Sequence, residues 1–278
     1  MRAQIRLLCT LSLLTLAACD GTVSTASKPV DHTTLGPLPA RELLAIESGN
    51  QSLRSGQTSQ AEVSYRNAMA LSKGHVDAHI MLARLLASQG RLTEAQKVVQ
   101  EGLSWQPEQP DLNLMLGKYL LSQAHYEQAQ RVFENGLITM PRNIDLLTGK
   151  GIAMDMQGDH IGAQLTYKEA LTYNPREQAS FVQNNLGLSY LFNNEAQEAI
   201  RLLEPLAKEK NTSAVTKHNL ALAYALLKDE KKAKALLGDE YDAGKQKEAL
   251  ENLEAYYTAK KKGNDAATPP TLPVQASE

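Results

Sequence analysis

Cys19 is the residue best placed for covalent chemistry in this 278-residue chain. Its thiol follows Leu16-Ala17-Ala18, at the end of an apolar run over residues 7–18, and Arg2 and Arg6 stand ahead of that run. A thiol in this setting can carry a lipid. Other groups with suggestive spacing resolve into packing or coincidence. His75 and His79 are four apart, as a metal pair on a helix would be. However, His75 falls in a loop before a helix, His79 takes an inward-packing place, and no third ligand lies near in sequence. Gly149-Lys150-Gly151 lacks the preceding glycine and the following Ser or Thr of a phosphate loop, and helix packing accounts for Gly151. Asn211-Thr212-Ser213 matches a glycosylation acceptor. No catalytic constellation emerges, no cofactor or metal is implied, and the expectation is a protein that is not an enzyme. The formal net charge of −2 suggests neither nucleic acid nor an anionic surface as partner.

Residues 1–18 read as an export signal: a positive head, then an apolar stretch of twelve residues, short of the roughly 20 that span a bilayer. The end of that stretch resembles the lipobox of bacterial lipoproteins, in which the chain is cut before a lipidated cysteine. An ordinary cleaved signal is the alternative. The cysteine at the end of the run, after small residues, favours the lipobox. The only other cysteine, Cys9, lies inside the signal, so the mature chain has no internal disulfide and is held together by packing. Two or three acyl chains at Cys19, at roughly 0.8 kcal/mol per buried methylene, anchor stably where one would not. Residues 19–39, lipidated cysteine and tether, are rich in Thr, Ser, Gly and Pro. A flexible tether of that length spans roughly 24 Å.

The elements that follow repeat. Ala61, Ala95, Ala129 and Ala163 are 34 apart, as are Pro107, Pro141 and Pro175. Gly56, Gly90 and Gly158 fall at a turn that wants positive φ, and Tyr65, Val99, Phe133 and Tyr167 fall at one large-residue position. The frame slips to 36 between Ala163 and Ala199, around residues 175–179, and returns to 34 at Ala233. Each unit is a helical hairpin that cannot bury its own apolar face and needs copies on either side. The clearest, over residues 110–141, places Gly117 and Ala129 where two helices approach. Six such units fit between residues 42 and 241. The terminal units are degenerate: Ser48 and Ser52 replace large residues, and Lys73 replaces the proline.

This pattern resembles the tetratricopeptide repeat. The resemblance implies an all-α solenoid, a right-handed superhelix of helical hairpins, over residues 40–262. Residues 245–262 form a further helix with an apolar stripe of Leu250, Leu253, Tyr256 and Tyr257, expected to cap the last hairpin. Its charges alternate in sign, as on a solvated face, and Lys260-Lys261-Lys262 complements the helix dipole. Residues 263–278 read as a disordered tail.

Among repeat lipoproteins the chain is most similar to the TadD-like proteins of the tight adherence (Flp) pilus system. The likeness rests on the lipobox, the Thr/Pro tether, the repeats, and Asn219-Leu220-Ala221-Leu222-Ala223-Tyr224 before a final hairpin and Asn252-Leu253-Glu254-Ala255-Tyr256-Tyr257. It implies a periplasm-facing, lipid-anchored scaffold that supports pilus assembly and secretion through protein partners, without nucleic acid or small-molecule substrate. A type IV pilus secretin pilotin and a lipoprotein of the outer-membrane barrel assembly machine are the alternatives. Outer-membrane placement is expected, but Asp20 resembles the inner-membrane retention signal of enteric lipoproteins, so that membrane stays open.

The tetratricopeptide resemblance also locates a partner groove, lined by the first helix of each hairpin. Its ninth position holds Asn50, Arg84 and Lys118 in repeats one to three, with Met81 and Met115 beside the bases. Its fifth and sixth positions hold Asn184 and Asn185, then His218 and Asn219. These nine residues are the expected partner-binding set, suited to an extended or helical peptide. Ile46, Ile80 and Leu114 stand where chaperone-binding relatives carry a clamp lysine, so a free carboxyl terminus is not the expected ligand.

Overall fold

A computed structural model describes residues 40–71, 74–173, 179–238 and 242–264. The export signal, Cys19, its tether, the slip at residues 174–178 and residues 265–278 of the tail lie outside the described residues.

The described residues form thirteen α-helices and no strand. Twelve pair into six antiparallel hairpins. The first helices are α1 (Ala40–Arg54), α3 (Asp77–Ser88), α5 (Pro110–Ser122), α7 (Ile144–Met156), α9 (Ala179–Phe192) and α11 (Ala214–Leu226). Their partners are α2 (Thr58–Leu71), α4 (Leu92–Trp105), α6 (Tyr126–Thr139), α8 (His160–Thr172), α10 (Ala196–Ala207) and α12 (Glu230–Leu237). Each hairpin packs on the next, and consecutive first helices touch from α5 through α11. This is an all-α tetratricopeptide solenoid.

Local chemistry sets the helix ends. Gln109, Asn143 and Ser213 each precede a first helix and accept a hydrogen bond from the backbone N–H three residues on, satisfying a donor the helix itself leaves unpaired. Between the two helices of each hairpin one residue takes positive φ: Gly56 (73°), Gly90 (75°) and Gly158 (83°), as the spacing predicts. The same slot holds Ala124 (59°), Asn194 (61°) and Lys228 (62°), so the turn is imposed even where no glycine eases it.

Packing explains the period. All six alanines of the frame, from Ala61 to Ala233, are fully buried. Four residues after each comes a knob from the second helix, and opposite it lies a small residue of the first. A Cβ on Gly49 would lie 2.4 Å from the Tyr65 ring, on Gly117 2.3 Å from Phe133, and on Gly151 2.5 Å from Tyr167. Aromatic knobs therefore demand glycine. Where Ala83 replaces the glycine, the knob shrinks to Val99, keeping the pair's volume nearly constant, as close-packed interiors require.

Helix α13 (Ala243–Lys261) departs from the expected cap. It packs on α11 as expected, and its contacts also reach back to α9. Leu253 and Tyr256 join one core with Leu188, Leu191 and Phe192 of α9 and Leu222 of α11. Further on, the Lys260 side chain lies against Gly158, two repeats away from the last hairpin.

Candidate functional site

The first helices build one face, and its two halves differ. In repeats one to three Arg84 and Lys118 are exposed and Asn50 is half-buried. The Arg84 guanidinium donates to Asp111 Oδ1 at 3.1 Å, across to the next repeat. Both partners are more than half exposed, so the pair is screened and contributes little to folding. Asn50 Oδ1 accepts from the Tyr65 hydroxyl at 2.8 Å, which pins the asparagine to its own hairpin. Met81 and Met115 are half-buried and packed on the core of these repeats.

Repeats four to six carry Ile152, Leu188 and Leu222 at the ninth position, and α13 covers the latter two. Three residues expected to face a partner are not available to one. Asn184, Asn185 and Asn219 are all buried, and Asn184 Nδ2 donates to Thr216 Oγ1 at 2.9 Å. The physical reason is that neighbouring first helices pack against one another here, and Asn184 bridges that seam. His218 places Nδ1 2.7 Å from the Ala214 carbonyl, one turn back on its own helix.

A buried polar cluster anchors α13. Asp155, near the end of α7, accepts three hydrogen bonds: from His160 Nδ1 at 2.8 Å, Ser189 Oγ at 2.7 Å and Tyr167 OH at 3.0 Å. With Nδ1–H turned to the carboxylate, His160 Nε2 is left as an acceptor, and the Tyr256 hydroxyl of α13 donates to it. The adjacent Tyr257 hydroxyl donates to the Leu191 carbonyl. One network thus joins α7, α8, α9 and α13. Burial raises the Asp155 pKa, while the donors from His160, Ser189 and Tyr167 work against that rise. Burial, and then the nearby Asp155 charge, push the Tyr256 phenol up to about 12, so it remains a donor at neutral pH.

Ser, His and Asp together invite comparison with a hydrolase triad, and the geometry answers it. The serine hydroxyl donates to the aspartate instead of to imidazole, Ser189 is fully buried, and the free imidazole nitrogen is taken by tyrosine. Ser189 therefore does not face a base. The network's job is to hold α13 in one register. Asp155 could have been suspected from the repeat frame, since the equivalent places hold Leu121 and Leu191; a carboxylate in an apolar slot needs buried partners.

Other polar residues are similarly explained. His79 is buried with both ring nitrogens unpartnered and Glu101 3.9 Å away, and burial lowers its pKa. Arg91 bridges Glu62 at 2.6 Å and Glu94 at 2.7 Å, tying α2 to α4.

Comparison with known proteins agrees with this geometry. Residues 52–119 match the family model of the tetratricopeptide repeat. No curated protein matches the chain. Among solved structures, a tetratricopeptide repeat protein from Parabacteroides merdae is similar with a TM-score of 0.63 at 16% identity, over 81% of this chain and 88% of that one. PilF of Pseudomonas aeruginosa is similar with a TM-score of 0.61 at 17% identity, over 76% and 96%. MamA of Desulfovibrio magneticus RS-1 is similar with a TM-score of 0.53 at 18% identity, over 60% and 94%. At these identities the likeness is one of fold. Fold and face together define a repeat scaffold of the kind that binds other proteins.

Proposed function

We propose that this chain is a non-catalytic, lipid-anchored scaffold facing the periplasm, and that it serves assembly and secretion of a tight adherence (Flp) pilus. Cys19 carries the acyl chains, and the solenoid holds a protein component of the pilus or its secretin channel. The observation that supports the reading is the solvent-exposed half-face of repeats one to three. Arg84 and Lys118 project from successive first helices and are exposed, while the polar cluster that could have suggested catalysis is closed and structural. Met81 and Met115, half-buried on the same core, supply apolar surface on these first helices, and Asn50 is held by the Tyr65 hydroxyl.

Exchanging both charges, Arg84→Glu with Lys118→Glu, tests it. Both side chains stand on the surface, so the melting temperature and helical circular dichroism stay near those of the parent. Capture of secretin or pilus components from the periplasm falls, and surface pili are lost. A variant that folds, stays membrane-bound and assembles pili at the parental level would sink the proposal.

A further inference from the structure

The two edges of the solenoid differ in what they expose. At one of them each second helix ends and the next first helix begins, and α1 itself starts there at Ala40. Successive loops on this edge touch. Gln106 Nε2 donates to the Gly74 carbonyl at 2.6 Å, Thr139 Oγ1 donates to the Glu108 carbonyl at 2.9 Å, and the Arg142 guanidinium lies 5.5 Å from the centre of the Tyr173 ring. Along the same edge stand Leu44, Leu71, Trp105, Ile138, Met140 and Tyr173, all exposed, Leu44 to 69% and Ile138 to 61%. The opposite edge, where the positive-φ turns lie, exposes the aliphatic side chains of Leu53, Leu92, Ile161 and Leu227. Exposed aromatic rings thus distinguish the first edge.

Aliphatic side chains with a tryptophan and a tyrosine among them suit the boundary between water and lipid, where an aromatic ring sets its apolar body in the acyl region and its polar tip among the headgroups. The charges beside them select the kind of lipid. Asp77, Asp111 and Asp145 stand in the first turns of α3, α5 and α7, and that row of carboxylates repels an anionic surface. Position supplies the rest of the argument. Ala40 lies on this edge, and with Cys19 in the lipid, as proposed above, the edge nearest the bilayer is the one from which the chain leads back to its anchor. We infer that the edge of repeats one to four rests on the surface of the zwitterionic bilayer that holds the anchor. The inference rests on the lipid anchor and adds an orientation to it. The helices then stand upright on the membrane, and the face that carries Arg84 and Lys118 opens sideways, along the surface. Each contact can be shallow, because an anchored chain meets the surface at high effective concentration.

Trp105 is the one tryptophan of the chain and reports the contact directly. The chain from residue 19 to residue 278 keeps every described residue and has a single thiol, that of Cys19. Coupling that thiol to a maleimide-headgroup lipid in phosphatidylcholine vesicles fixes the anchor whatever the native acylation. When the acyl chains of the vesicles carry bromine, Trp105 emission falls about twofold and its maximum moves to shorter wavelength. Phosphatidylglycerol in the same vesicles weakens the quenching. Leu44→Glu with Ile138→Glu, both on the surface, keeps the melting temperature near that of the parent and restores the emission seen without bromine. Emission of the coupled parent that bromine leaves unchanged overturns the inference. Acylation of Cys19 is decided separately, by mass spectrometry of the native protein, so the two readings fail independently. Quenching that persists in the double variant also overturns the inference, since another surface then meets the lipid. A shift of Trp105 emission without vesicles, accompanied by dimers in light scattering, assigns the edge to a second copy instead.

Discussion

Repeats one to three and repeats four to six share one backbone frame and present opposite faces. At the ninth position of the first helix, Asn50, Arg84 and Lys118 meet solvent or a hydrogen-bond partner, whereas Leu188 and Leu222 are sealed under α13. The buried knobs are alike in both halves, from Tyr65 to Leu237. Stability therefore depends on positions that recur, and accessibility on one that varies. A solenoid can change a single slot per repeat and convert an open charged surface into a seat for a helix, with no change in fold.

Removing the joint between the halves should have the largest effect. The Phe133 ring lies 2.3 Å from a Cβ built on Gly117 of α5 and 2.5 Å from one on Gly149 of α7, so it fills the boundary between repeats three and four. Phe133→Ala should cost about 3–5 kcal/mol. Urea unfolding followed by circular dichroism should then show two transitions in place of one. A single transition at the parental midpoint would mean that the halves do not meet through this ring.

A smaller effect of opposite sign is expected at the turns. Ala124, in the open half, holds a φ of 59° with no side-chain compensation. Ala124→Gly should stabilise by about 0.5–1 kcal/mol, relief of the left-handed strain exceeding the added freedom of the unfolded chain. Asn194→Gly, in the filled half at φ 61°, should gain less, because asparagine tolerates that region. Thermal melts of the two variants make the comparison directly.

The mildest difference lies in the response to acid. Burial lowers the His79 pKa, so His79 folds neutral. Its contribution is complete above the unfolded value of about 6.5 and is lost as pH falls below it. Asp155, whose pKa burial raises, has the reverse sign: its contribution is complete below about 3.9 and is lost as pH rises through the folded value. His79→Leu should therefore flatten the decline of melting temperature between about pH 6.5 and 5 without touching α13. An unchanged decline would place the acid-sensitive group elsewhere.

The sequence by itself determined the repeat. Spacings of 34 residues mark contacts between a helix and its immediate neighbours, and such contacts need only local periodicity and matched volumes. Ala61 to Ala233, the knobs, the positive-φ turns at Gly56, Gly90 and Gly158, and the inward place of His79 were legible for that reason. Arg84 and Lys118 were legible as surface residues because Arg and Lys side chains are almost never fully buried. Where the superhelix brings distant parts together, periodicity falls silent. The Tyr256 hydroxyl meets His160 across 96 residues, and whether α13 caps one hairpin or runs back over three depends on the small rotation each repeat adds. The same accumulation decided that Asn184, Asn185 and Asn219 are buried. Tertiary structure also decided the role of Asp155, since a carboxylate in an apolar slot is tolerated only where the fold delivers three donors to it at once.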